Sequence, residues 1–209
     1  MNSRVIWEIA RQEMTVSVRN KWTAVFAAVF SLLVVAISYA GTMAEGFTGM
    51  ESFTRTSASI LNLVLYIIPL LALTMGTLSF TGDRGAAELL YAQPISRGEI
   101  LVGKLAGLFG SSCVSTLLGF AAAGLVILWT NGSEGLGRYL TLVVLSLMLA
   151  LVFLGLAGLV ATVTHRKARA FGYALFLWFF FVLFYDLLVL GGTLLLSGRA
   201  SKLLVFFSL

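Results

Sequence analysis

Few side chains in this 209-residue sequence could do chemistry. There is one histidine, His165, and one cysteine, Cys113, so no His dyad, thiolate cluster or disulfide framework can be assembled. His165 stands beside Arg166 and Lys167 and reads as a residue of a positively charged loop rather than as a catalyst. Met43 and Met50, in segment 42–59, are soft thioether donors. Without His or Cys beside them they read as surface or partner contacts rather than as a copper site. Gly98-x-x-x-x-Gly103-Lys104 matches the start of a phosphate-binding loop, but Leu105 replaces the Ser or Thr that would hold Mg²⁺ and no strand precedes it. Asn131-Gly132-Ser133 is a glycosylation sequon in too short a loop to be informative.

Asp186, in Phe184-Tyr185-Asp186-Leu187, is the remaining candidate, a carboxylate within a long apolar run. Such a group is costly in a bilayer and normally faces a bundle interior or a wet cavity. It could bind substrate or a proton on a translocation path, or it could accept a hydrogen bond from a neighbouring helix's hydroxyl or amide. No apolar run offers a Ser–His, Asp–Asp or metal-ligand pair. No catalytic residue, metal ligand or cofactor is assigned to this chain, and an intramembrane enzyme is disfavoured.

The elements that must position these groups are membrane helices. The chain is 59% apolar and 11% charged, against ~25% charged for soluble domains. Five stretches, 22–41, 60–80, 105–130, 139–162 and 171–196, are each long enough to cross a ~30 Å core at ~1.5 Å per residue. The expected fold is all-α: one polytopic transmembrane domain over 1–209 with at least five spans. The net charge of +5 is then a matter of sidedness and not a sign of nucleic acid. Ten Lys and Arg fall before the first span, in 81–104 and in 163–170. The alternate loops hold four: Arg55, Arg138, Arg199 and Lys202. The N-terminus and the loops 81–104 and 163–170 are therefore expected in the cytoplasm.

The most specified polar stretch is 83–104, which carries Asp83, Arg84, Glu88, Arg97, Glu99 and Lys104. Residues 84–92 read as a short helix with Ala86, Leu89 and Leu90 on one face, stopped at Gln93-Pro94 because proline disfavours a helical residue before it. Ser96-Arg97-Gly98-Glu99 then matches a capping box, with Ile95 and Ile100 at the hydrophobic-staple positions. A loop with this much local specification reads as a rigid knob offered to a soluble partner. An inert membrane anchor would leave it unexplained.

Segment 3–20 has an amphipathic period, with Arg4, Glu8, Arg11, Gln12, Thr15 and Arg19 on one arc and Val5, Ile6, Trp7, Ile9, Met14, Val16 and Val18 around the rest. It is expected to lie in the membrane interface, and it is no cleavable signal peptide. Glu13 breaks the apolar face: either it snorkels to water or it meets a basic residue of the cytoplasmic side. Pro69 should kink the second span. Gly103, Gly107, Ser111, Ser115, Gly119 and Ala123 form a ladder of small residues that permits close helix approach. After the fifth span, the seven residues 203–209 are too few to cross, so a further span or a re-entrant segment is expected.

These residues carry a family resemblance. Asp83, Gly85, Leu89-Leu90, Pro94, Ser96-Arg97, Ile100 and Gly103-Lys104 resemble the loop between the second and third spans of membrane subunits of type-2 ABC exporters. Where that family carries Thr-Leu after the glycine, this chain has Ala86-Ala87. Residues 9–13 with 19–22 resemble its elbow helix, which makes Arg11, Glu13 and Arg19 elbow residues. Gly98–Lys104 and the pair Trp178-Phe179 with Phe184–Leu187 are most similar to permeases of copper-processing transporters that serve nitrous oxide reductase maturation. The resemblance implies a half-transporter of the bacterial inner membrane that pairs with a second copy and with two separate ATPase subunits. Segment 84–92 would be the coupling helix, and a periplasmic β-helical protein is a further implied partner. Six spans are usual in such permeases, so the sixth is missing here. Export of a lipid, a peptide or a polysaccharide is the alternative within the same class.

Overall fold

The computed structural model describes residues 2–43, 49–81, 95–131, 136–164 and 166–195. Six helices follow one another: α1 (Ser3–Val18), α2 (Lys21–Met43), α3 (Gly49–Phe80), α4 (Arg97–Asn131), α5 (Leu136–Val163) and α6 (Lys167–Leu195). No strand occurs among the described residues. The lengths follow from the bilayer requirement that every backbone polar group be satisfied within its own segment. Four helices are each long and apolar enough to span: Ser59–Phe80, Arg97–Ala122, Gly137–Val163 and Lys167–Gly191. Ser3–Val18 and Thr23–Ile37, which meet at a bend of 66°, qualify together as a fifth. The chain is a polytopic helical membrane protein, as its composition requires.

α2, α3, α4 and α5 build the bundle around two apolar clusters. Phe30, Val34, Ile60, Val64, Ile68, Phe120, Val143 and Ala150 form the one farther from segment 81–96. There Phe120 meets Phe30 and Tyr139 edge-on, at ring-centroid separations of 5.4 and 5.9 Å. The nearer cluster joins Ala72 and Leu73 of α3, Leu108 of α4, Phe153, Leu154 and Ala157 of α5, and Ala174 of α6. Small residues set the approach between helices: a Cβ at Gly76 would lie 2.5 Å from the Ala157 Cβ.

The ladder of small residues on α4 does pack, but against two successive helices. A Cβ at Gly103 would lie 2.8 Å from the Ile9 Cβ, and one at Gly107 would lie 2.4 Å from the carbonyl oxygen of Ala10. At Gly110 it would reach the Met14 sulfur at 3.0 Å, and at Gly119 the Phe30 ring at 2.6 Å. Contacts advance in step along both chains, so α1 runs alongside the first turns of α4 in the same direction, and α2 continues along the later ones. Ala10 is buried and Ile6 and Ile9 are half-buried. Much of the apolar face of α1 is therefore spent on α4 and not on lipid, a refinement of the interfacial helix expected from its periodicity.

Candidate functional site

The capping box at the start of α4 forms as its residue types demand. Ser96 donates its backbone N–H to Glu99 Oε2 at 3.1 Å, and the Glu99 N–H donates to Ser96 Oγ at 3.3 Å. Its second carboxylate oxygen does something the motif does not specify: Glu99 Oε1 accepts the backbone N–H of Asn2 at 2.6 Å. Asn2 is the N-cap of α1, its side chain accepting from the Arg4 N–H at 3.2 Å. One carboxylate thus serves two helix starts.

A second polar junction lies one to two turns further along. Glu13, midway along α1, accepts a short hydrogen bond from Ser79 Oγ in the last turn of α3. Lys104 of α4 approaches Glu13 Oε2 at 3.9 Å and donates to the Ser79 carbonyl at 3.0 Å. Of the two readings open for Glu13, the contact with a basic residue is the one that forms. Glu13 and Lys104 are both largely buried, at 16% and 23% side-chain exposure, so solvent screens the pair only partly. Lys104 lies inside a helix with both partners protein groups, and Gly103 packs on α1. Gly98–Lys104 is therefore a helix-packing element and not a phosphate-binding loop.

These junctions frame segment 81–96. Its entering stem, at Ser79, and its leaving stem, at Ser96–Lys104, are both fastened to α1. Asp83, Arg84, Gly85, Glu88, Leu89, Leu90 and Pro94, together with the expected helix 84–92, lie outside the described residues. Ser96 and Arg97 open α4. Arg11 is exposed on α1, and Arg19 is its C-cap. A wide groove beside Ile95 is lined by Arg4, Glu8, Arg11, Gln12 and Thr15 of α1.

Asp186 sits elsewhere, toward the far end of α6. Its Oδ1 accepts the Tyr66 hydroxyl at 3.3 Å. About two helix turns earlier on α6, the Trp178 indole N–H donates to the Tyr66 carbonyl at 2.8 Å. Pro69 lies one turn further along α3, where its missing N–H leaves the Leu65 carbonyl, next to Tyr66, without its helical donor. Asp186 and Trp178 thus hold Tyr66 from both ends and tie α6 to α3 one turn before Pro69. Residue types alone pointed to Glu13, Glu99 and Asp186. They missed Asn2, Ser79, Tyr66 and the donor role of Trp178, whose partners lie in other helices. Among the described residues no group of three or more His, Cys, Asp or Glu could hold a metal.

Comparison with known proteins gives the family. Residues 7–207 match the family described as ABC-2 family transporter protein. Over 207 residues the chain is 36% identical to a protein of Pseudomonas aeruginosa named "Probable ABC transporter permease protein NosY", covering 96% of this chain and 75% of that protein. A protein of the same name from Stutzerimonas stutzeri is 34% identical over 203 residues, covering 93% of this chain and 72% of its own length. The chain belongs to the ABC-2 family of ABC transporter permeases and is a multi-pass membrane subunit of that class.

Proposed function

We propose that this chain converts closure of two separate ATPase subunits into movement of its spans, and that it works as a pair with a second copy. The observation that supports this most is the double fastening of segment 81–96 to α1 through Asn2–Glu99 and Ser79–Glu13–Lys104. A push on a loop held at one stem is absorbed by bending. Here α1, the end of α3 and the start of α4 must move together, and the 66° bend carries that movement into α2. In this reading residues 84–92 are the coupling helix in an ATPase groove, with Leu89 and Leu90 its apolar face. Hydrolysis belongs to the partners and not to this chain. The excess of Lys and Arg supports a cytoplasmic side for the N-terminus and this segment in a bacterial inner membrane.

The likeness to permeases named NosY supports a place in nitrous oxide reductase maturation. With one Cys and one His, the chain is poorly supplied with ligands for soft Cu(I). The exported species is then a sulfur compound sooner than bare copper, with segment 42–59 the docking surface for a periplasmic β-helical partner. Asp186, exposed on α6, serves to hold Tyr66, with the translocation path as its competing role.

The test is Leu90→Asp in the full-length protein, with single cysteines at Arg97 and Thr48 in a Cys113→Ala background. A carboxylate buried in the ATPase groove costs several kcal/mol. The ATPase subunits should dissociate while the permease stays inserted. The Arg97 position should react with an impermeant thiol reagent only after permeabilisation, and Thr48 should react without it. Retained ATPase subunits would place the docking face elsewhere. The reverse labelling pattern would overturn the sidedness.

A further inference from the structure

We propose that the free edge of α1 is a docking site for anionic phospholipid headgroups. With Ile6, Ile9, Ala10, Glu13 and the Met14 sulfur turned to α4, the helix keeps two apolar side chains on its free edge. Trp7 and Val18 are 69% and 41% exposed. At ~100° per residue they share an arc of about 20°, and Arg11 and Arg4 occupy the next ~40°. An exposed tryptophan in line with an exposed valine and bordered by arginines is the composition of a helix edge seated at the headgroup–acyl boundary.

Charge decides the class of headgroup. Arg4, Arg11, Arg19 and Lys21 are all exposed. Arg4, Arg11 and Arg19 make no ion pair among the described residues. Glu13 is committed to Ser79 and Lys104, so Glu8 is the one acidic side chain left on this exposed surface. Such an excess of cations beside an apolar strip attracts acidic headgroups over zwitterionic ones. Arg4 and Arg11 also border the groove beside Ile95, where an acidic protein surface could compete for them. The exposed Trp7 and Val18 favour lipid, because they supply acyl contact that a soluble acidic surface would not use. Since α1 carries both fastenings of segment 81–96, a lipid bound along this edge would bear directly on those stems.

The experiment is native mass spectrometry of the full-length permease titrated with phosphatidylglycerol and, in parallel, phosphatidylcholine. Wild-type protein should retain phosphatidylglycerol preferentially. Each of Arg4→Gln, Arg11→Gln and Arg19→Gln should weaken that binding roughly fivefold and leave phosphatidylcholine unchanged. Glu8→Gln should tighten it, a gain that misfolding cannot mimic. Equal retention of both lipids by wild type, or unchanged retention in the triple arginine variant, would overturn the proposal. So would loss of bound ATPase subunits from that variant with its lipid retention intact, which would make the arginine face a protein surface.

Discussion

The seam between α1 and α4 can be probed by adding one methyl group. Gly107→Ala places a Cβ 2.4 Å from the Ala10 carbonyl oxygen, 2.7 Å from the Glu13 Cβ and 3.1 Å from the Met14 backbone nitrogen. Carbon contacts are comfortable at ~3.5–4.0 Å, so the two helices must part by about 1 Å. Two of the three obstructing atoms belong to helical backbone, which cannot swing aside as a side-chain tip would. Overpacking of this kind costs ~1–3 kcal/mol, and backbone obstruction puts it at the upper end. Against that, replacing a helix-interior glycine by alanine contributes ~0.5–1 kcal/mol of stability. The net expectation is a loss of about 1–2 kcal/mol. At ~2–4 °C per kcal/mol for a chain of this size, the melting temperature of the purified permease in nanodiscs should fall by several degrees. Gly155→Ala is the internal control, since a Cβ there meets nothing within 4 Å. It keeps the propensity gain without the clash and should melt at or above wild type. If Gly107→Ala melts as high as Gly155→Ala, α1 does not sit against α4 as described.

Lys104→Ala should leave nucleotide affinity of the assembled transporter unchanged while lowering permease stability by ~1–2 kcal/mol, because Glu13 loses its cation but keeps the Ser79 hydroxyl. Nucleotide titration beside a melting curve checks this, and a large loss of ATP binding would restore the phosphate-loop reading of Gly98–Lys104. Asp186→Asn preserves an acceptor for the Tyr66 hydroxyl and should assemble and transport normally. Asp186→Leu should cost ~0.5–1.5 kcal/mol in melting. An Asn variant that assembles yet fails to transport would move Asp186 from the bundle to the translocation path.

Local features of this protein were legible in its sequence because their physics is local. Ser96 and Glu99 are three residues apart, and their mutual capping needs no other part of the chain. Spans follow from unbroken apolar length, and α3 runs continuously from Gly49 to Phe80 through Pro69. The spacing of Gly103, Gly107 and Gly119 pointed to close packing, but Gly110, which meets Met14, falls outside a strict four-residue ladder. Pairings set by tertiary structure left little trace. Glu13 announced itself as a charge on an apolar face, yet its partners stand 66 residues away at Ser79 and in another helix at Lys104. Tyr66 and Asp186 are 120 residues apart. The period of α1 marked its apolar face without saying how it would be divided, since lipid and a neighbouring helix ask for the same residue types.

The claim that α1 and the stems of segment 81–96 move as one body is open to a distance measurement. In a Cys113→Ala background, spin labels can be placed at Gln12 on the exposed side of α1, at Gly98 on α4, where a Cβ meets nothing within 4 Å, and at Val163, which is 76% exposed at the end of α5. Pulsed electron paramagnetic resonance on the permease with its ATPase subunits, nucleotide-free and then trapped with nucleotide, reports the distances from Gln12 to each of the other two. The account predicts that the Gln12–Gly98 distance stays fixed while the Gln12–Val163 distance shifts. A Gln12–Gly98 distance that changes on trapping while Gln12–Val163 stays still would contradict it.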